Sequence, residues 1–360
     1  MKKAKTNANT HSATETQSTG QFTQIKLGID VHADFYVVVR QIDSATPQPA
    51  QRMSPAKFLE FAARQLALAR EVHACYEAGP FGYGLHRQLT TLGVHNVVVR
   101  PQNWDEHGRG VKTDRTDALA LVQRLDRFVQ GNTKALAVIA VPTPAQEQER
   151  ALSRLREQAQ RDRQAHEAQG RSLLLAQGHR VRGRWWKAKT WEQLQANLPV
   201  WLVGLLEHLR AMLLAAETVL GQVQAQIEAQ AQAQPKGFGR LTSEILRREV
   251  FDWNRFKNRR QVASLTGLCP GVRASGLKCR PGSITKHGNP RLRRALVELA
   301  WRVVRFQPCY PPVVKWKPVL AQKHNRGARK KAIVAIGRRL AIDLWRLSTG
   351  RCTAPALGLD

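Results

Sequence analysis

Between Phe22 and Ile42 the chain reads FTQIKLGIDVHADFYVVVRQI, and within it Ile25, Leu27 and Ile29 alternate with Lys26 and Gly28. A two-residue period sends alternate side chains to opposite faces of a strand, so the run is expected to be β. The polar break DVHAD and the apolar run FYVVVRQI make it a hairpin, with Asp30 at the end of the first strand. SPAKFLEFAARQLALA then predicts a helix with Ser54 as N-cap and Pro55 in its first turn. A short strand EVHACYEA, a helix near YGLHRQLTTLG, a strand VHNVVVRP and a helix from about Thr113 through DALALVQRL follow. The order ββ(β)αβαβα predicts an α/β domain over residues 22–143, a mixed sheet flanked by helices.

Beyond that domain the strand signal fades. Residues 144–235 are rich in Ala, Gln, Leu, Glu and Arg and predict a long antiparallel, coiled-coil-like helical pair, interrupted around GHRVRGRWWKAKTW. It serves either as a spacer or as a dimer interface. Trp185, Trp186, Trp191 and Trp201 stand among Arg and Lys, and either stack on bases or pack between helices. Residues 236–348 are expected to form a compact all-α domain, including a helix with Asn289 as N-cap and Pro290 after it. On that helix Leu292, Leu296, Leu299, Val303 and Phe306 share one face, and Arg291, Arg294, Arg302 and Arg305 the other. Residues 1–21 read as a disordered tail and residues 349–360 as a second tail.

Charge narrows the function. The chain of 360 residues has 57 Lys and Arg against 27 Asp and Glu, a formal charge of +30. Residues 236–360 hold 28 of the bases and 6 of the acids, 28 − 6 = +22. So lopsided a charge favours a polyanion, and nucleic acid above all. No apolar run approaches bilayer length, which argues against a membrane partner. The five cysteines form no CxxC pair and lack histidines at zinc spacing, so a reducing cytoplasm is expected.

Two groups of residues bear chemistry. Asp30 and Glu77 end strands, and Asp114 and Asp117 open a helix in KTDRTDA. Their i, i+3 spacing puts the last two on one helical face, about 5–6 Å apart between Cβ atoms. A two-metal site needs several such oxygens converging from different elements. Each acid also has a plain reading: Asp114 as a helix cap, Asp30 as a turn residue. Asp34, Asp105 and Asp126 are taken as surface acids. The second group lies in GVRASGLKCRPGSITKHGNPRLRRAL, where Ser275 precedes Gly276 among Arg273, Lys278, Arg280, Lys286, Arg291, Arg293 and Arg294, with no acid in the run. A serine attacking a carbonyl wants an adjacent base; one attacking a phosphodiester wants cations around the phosphate. Ser275 is therefore a turn serine or a nucleophile, with Ser283 and Thr285 as competing hydroxyls and His287 as a phosphate contact or proton shuttle.

GIDVHAD, YEAGPFGYGLHRQL, VVVRPQNW, KTDRTDALAL and LTGLCPGVRASGLKCRPGSITKHGNPRLRRAL together resemble the IS110-type insertion-sequence transposases, over roughly residues 22–345. The resemblance implies an RNase H-like domain of the RuvC type that binds Mg2+ through Asp30, Glu77, Asp114 and Asp117, and a transposase domain with Ser275 as nucleophile. It implies recombination of donor and target DNA through a covalent phosphoserine, guided by a structured bridge RNA. It also implies dimers that assemble into tetramers, with the acidic domain of one subunit completing the serine site of another, in a bacterial cytoplasm at the nucleoid. Arg273, Lys278, Arg280, Lys286, Arg291 and Arg294 are the expected nucleic-acid contacts. One stretch departs from the family: QPKGFGRLTSEIL stands where a helix-hairpin-helix start of the form IPGIG is usual, keeping the glycines as Gly237 and Gly239. Without Ser275 chemistry the same features describe a metal-dependent, junction-resolving nuclease. Without either site they describe a non-catalytic nucleic-acid-binding protein.

Overall fold

A computed structural model describes residues 21–101, 113–232, 234–275 and 278–359. The expected N-terminal tail and Asp105 lie outside the described residues, as does Gly276. The chain divides into two units, Met1–Val141 and Pro142–Asp360.

In the first unit the order runs β1 (Phe22–Val31), β2 (Tyr36–Ile42), β3 (Gln51–Met53), α1 (Pro55–Leu68), β4 (Ala69–Glu77), α2 (Gly84–Leu92), β5 (His95–Val99) and α3 (Asp114–Val129). The strands form one sheet in the order β3-β2-β1-β4-β5. β1 runs antiparallel to β2 and parallel to β4, and β5 is parallel to β4. Ser54 caps α1 by accepting from the Lys57 amide, with Pro55 following.

The alternation in β1 sorts its side chains between two covered faces. Ile25, Leu27 and Ile29 join Phe58 and Ala62 of α1 and Leu85 and Leu89 of α2 in one core. The opposite face, bearing Lys26, Gly28 and Asp30, lies against α3. A Cβ at Gly28 would stand 2.4 Å from the Ala118 carbonyl oxygen and 2.5 Å from the Val122 nitrogen, so only glycine lets α3 lie this close. Lys26 is thereby buried, and its ammonium meets Asp126 of α3 at 2.6 Å. Asp126 is not the surface acid expected of it: a buried ammonium needs a counter-charge, and Asp126 supplies it.

The second unit holds α4 (Pro144–Ala176), α5 (Ala188–Gln195), α6 (Val200–Ala229), α7 (Arg240–Val250), α8 (Arg259–Thr266), β6 (Pro270–Ser275), β7 (Lys278–Ile284), α9 (Pro290–Phe306), α10 (Pro311–Leu320) and α11 (Arg326–Ser348). α4 and α6 lie antiparallel: Arg156 reaches Gln224, while Trp185, just past the end of α4, donates to the Glu167 carbonyl. Trp185, Trp186 and Trp191 are buried in the core at the closed end of this pair, whereas Trp201 is exposed. Packing rather than base stacking therefore accounts for the first three. The pair is no separate segment from 144 to 235, since the buried Arg248 of α7 donates to the Glu149 carbonyl on α4 and to Gln230 after α6.

Two further expectations change. The run around Ser275 forms the hairpin β6/β7 inside an otherwise helical region. Residues 349–360 are not a tail: Leu357 and Leu359 are buried in the core with α9 and α11. Two such leucines carry too little periodicity to announce an element, yet each removes apolar surface from water.

Candidate active site

The sheet decides where the acids meet. β1 and β4 are parallel with Ile29 opposite Tyr76, so Asp30 and Glu77, one residue further on, close the same end of two neighbouring strands. Both point away from Ile29 and Tyr76 and toward the face that α3 covers. The carboxyl ends of parallel strands are where open α/β sheets place their ligands. α3 begins over that end: Ala118, Leu121, Val122 and Leu125 are its buried stripe, and Asp114 and Asp117 continue the stripe toward the N-terminus.

Helix capping is not the task of Asp114. Thr113 is the N-cap, accepting from the Thr116 amide at 3.3 Å while Thr116 accepts from the Thr113 amide at 3.0 Å. The plain reading of Asp114 thus falls away. As the first helical residue it still gains from the positive end of the helix dipole.

Asp30, His32 and Asp114 come together, with one ligand atom from each lying within 4.8 Å of the other two. His32 Nε2 is 3.2 Å from Asp30 Oδ2, within hydrogen-bond distance, and 3.5 Å from Asp114 Oδ2, so the imidazole stands between the two carboxylates. Its ring stacks on Phe35 at 4.6 Å, and its backbone amide donates to the Phe35 carbonyl, which fixes the turn after β1. Burial pushes the Asp30 carboxyl above its ordinary value, and the charges of Asp114 and Asp117 add to the rise against the pull of His32. An acid so placed favours a cation beside it. The donor set fits a divalent metal ion. Beside Asp114 an open groove of about 600 Å³ is lined by Phe35, Arg52, Thr113 and Arg115, with two guanidinium groups near the acids.

Glu77 belongs to this end by register, and Asp117 by its electrostatic effect on Asp30. His32 was absent from the expected site. Its signal was its place two residues after a strand-ending aspartate, in DVHAD.

Ser275 stands in the second unit as the last residue of β6, exposed, with Lys278 as its cross-strand partner. Two residues away, Arg273 faces Arg280, both exposed, on the same side of the ribbon as Ser275. Directly opposed like charges destabilise a hairpin, and a lone two-stranded ribbon is weak to begin with, so an anion on this face would relieve it. The side chain of Lys278 lies outside the described residues. Lys286, exposed, follows the ribbon with a positive φ of 57°. Arg293 donates to the Thr266 and Lys286 carbonyls and so anchors the base of the hairpin. Arg291 and Arg294 of α9 both meet Glu157 of α4. Gly237 and Gly239 adopt positive φ before α7, against Phe306 and Arg302.

Among the described residues, no helix is long and apolar enough to cross a membrane. The family model described as "Transposase IS116/IS110/IS902 family" matches residues 229–313, the stretch from the end of α6 to α10 that includes Ser275. The chain is 32% identical over 298 residues, 75% of each partner, to the transposase candidate y4rJ of Sinorhizobium fredii. It is 33% identical over 302 residues, 77% of this chain and 75% of the relative, to y4qE of the same organism. A longer match, 24% identical over 344 residues and covering 90% of this chain and 89% of the other, is to the transposase for insertion sequence element IS1111A of Coxiella burnetii. The protein belongs to the IS110/IS116 family of insertion-sequence transposases.

Proposed function

We propose that this transposase breaks and rejoins DNA with two sets of residues: Asp30, Glu77, Asp114 and Asp117 as a Mg2+-binding set, and Ser275 as the nucleophile. The observation that carries the reading is the convergence of Asp30, His32 and Asp114 at the strand ends, in a chain whose relatives are named transposases. The strand order, three antiparallel strands followed by two parallel ones, supports an RNase H-like domain of the RuvC type. Lewis-acid polarisation of a phosphoryl oxygen is the chemistry a divalent ion supplies when bound. Asp30 and Asp114 would hold it, with His32 standing between the two carboxylates.

At the serine, the Ser275 oxygen attacks phosphorus while the bond from phosphorus to a deoxyribose oxygen breaks. The hydroxyl gives up its proton, and the leaving oxygen takes one up. A strand hydroxyl then attacks the phosphoserine, the serine oxygen leaves, and the phosphodiester count is unchanged. Arg273 and Arg280 beside it suit the charge that builds on the phosphoryl oxygens. Lys278, Lys286, Arg291 and Arg294 are the further proposed backbone contacts. Donor and target DNA, a bridge RNA that selects them, and dimers assembling into tetramers complete the reading; family resemblance supports these, and the +22 charge of residues 236–360 suits both nucleic acids.

The test replaces Asp30 and Asp114 singly by Asn and follows strand breakage of a plasmid carrying the element ends, with Mg2+ and the flanking RNA. Breakage should fall at least about a hundredfold, in the range of losses seen when an electrostatic catalytic group is removed, while DNA retention on a filter stays within about twofold. Full breakage by either variant would remove the carboxylates from the chemistry.

A further inference from the structure

Three arginines share one carboxylate on the seam between α4 and α9. Glu157 Oε1 accepts from Arg294 Nη1 at 2.7 Å and from Arg161 Nη2 at 2.6 Å, and Oε2 accepts from Arg291 Nε. Three positive charges against one leave the cluster at +2. Its exposure is uneven: Glu157 is 14% exposed, whereas Arg161 is 54% and Arg294 56% exposed. The guanidinium groups thus present donors outward while their shared acceptor sits beneath.

Two features beside the cluster also favour an anion. Arg291 and Arg294 lie in the first two turns of α9, whose N-terminus is capped by Asn289 and carries the positive end of the dipole. A cavity of about 430 Å³ opens beside Glu157 between α4, α7 and α9. Into its wall comes Ser153, 7% exposed, with no partner for its hydroxyl oxygen. Two other acids line that cavity: Glu249 accepts from Asn289 Nδ2 at 2.6 Å through Oε2, with its Oε1 buried 4.0 Å from Arg154 Nε and without a hydrogen-bond partner, and Glu298 faces Arg156.

A phosphodiester presents two non-bridging oxygens and one negative charge, as a carboxylate does, and guanidinium groups fork onto either. We propose that Arg161, Arg291 and Arg294 form a site for one backbone phosphate of duplex DNA, and that Glu157 occupies it in the free chain until that phosphate displaces it. The exchange keeps the charge balance of the site and releases the tie that holds α9 to α4. This rests on the DNA-handling function above and adds to it Arg161, the competing carboxylate and a contact that opens on binding.

The experiment measures the affinity of the full-length chain for a 30-base-pair duplex of arbitrary sequence at fixed low salt, with circular-dichroism melts as the check of folding. Removing the competitor in Glu157→Gln should tighten binding by about tenfold, the scale of one hydrogen bond to a charged group. Glu157→Asp, which keeps the charge, should bind like the wild type. Arg294→Ala removes an exposed side chain and should weaken binding about tenfold, and in the double variant the gain from Glu157→Gln should vanish. Unchanged or weaker binding by a folded Glu157→Gln overturns the proposal. So does unchanged binding by Arg294→Ala, a reading available even if Glu157→Gln fails to fold. A gain on single-stranded RNA without one on duplex DNA overturns the assignment to DNA. Wild-type chain that ignores duplex DNA altogether contradicts the transposase mechanism itself, a different result from binding that these variants leave untouched.

Discussion

At the scale of single residues, the carboxyl groups of Asp30 and Glu157 are shifted in opposite directions. Asp30 is held among like charges and its carboxyl is raised by burial, which disfavours the ionised form and prepares the place for a cation. Burial also opposes ionisation of Glu157, but hydrogen bonds from Arg294 and Arg291 outweigh it and hold the carboxyl below its ordinary value of 4.5. The groups facing Glu157 are Arg161, Arg291 and Arg294, with Glu249 and Glu298 on the same cavity. A lowered folded value stabilises the protein fully above the unfolded value and is lost as pH falls through the folded one. The stability advantage of wild type over Glu157→Gln should therefore be constant above about pH 5 and shrink as pH drops below 4.5. Urea melts at a series of pH values measure it; an advantage that grows on acidification would contradict the pairing. The placement of Asp30 and Glu77 near strand ends and of Asp114 and Asp117 at a helix start follows from breaks in periodicity, while their reading as one set comes from family resemblance. His32 had only its place two residues after Asp30 as a signal, and what brings it to the acids is the turn closed by its amide and Phe35 and the stacking of the two rings. Glu157 lies 134 residues from Arg291, and no local pattern announces such a pair.

Elements were legible where their periodicity was strong. The order of strands and helices in the first unit, the caps Ser54 and Asn289, and the long helical pair all follow from local pattern and capping chemistry. β6/β7 was missed because Pro270–Ile284 shows no apolar alternation: among its described residues, Val272 to Ser275, Arg280, Gly282 and Ser283 are exposed. β1 presents the reverse difficulty. Its alternation separates two faces without saying what covers each: α3 lies over the face with Lys26, and Asp126 neutralises that charge. Gly28 is the residue on which that packing turns. Gly28→Ala should cost about 1–3 kcal/mol, the usual range for overpacking, by driving a methyl group into the α3 backbone. Because α3 carries Asp114 and Asp117, the same change should reduce strand breakage beyond what lost stability explains. Guanidinium melts alongside cleavage assays would show it, and a silent Gly28→Ala would mean that α3 has room to move. A second close approach holds the far end of the helical pair, where Trp185 lies against Gly170 so tightly that an added Cβ would stand 2.1 Å from its ring. The same overpacking cost of about 1–3 kcal/mol is expected for Gly170→Ala, with a matching loss of near-ultraviolet tryptophan dichroism.

Across the whole molecule, charge and the residues proposed for the chemistry are divided between the two units. Asp30, Glu77, Asp114 and Asp117 lie in the first, whereas Ser275 and most of the cationic surplus lie in the second. The surplus was visible in the sequence as a simple count. The proposed division of labour rests on family resemblance, because nothing in residues 270–284 marks Ser275 above Ser283 except its neighbours. The most direct measurement is therefore a denaturing gel of the full-length chain with labelled donor DNA, Mg2+ and the flanking RNA. Wild type should leave a band of DNA covalently joined to protein, Ser275→Ala should lose that band while still binding DNA, and Ser283→Ala should keep it. Strand breakage without any Ser275-dependent adduct would contradict the account and leave a nuclease that works through its carboxylates alone.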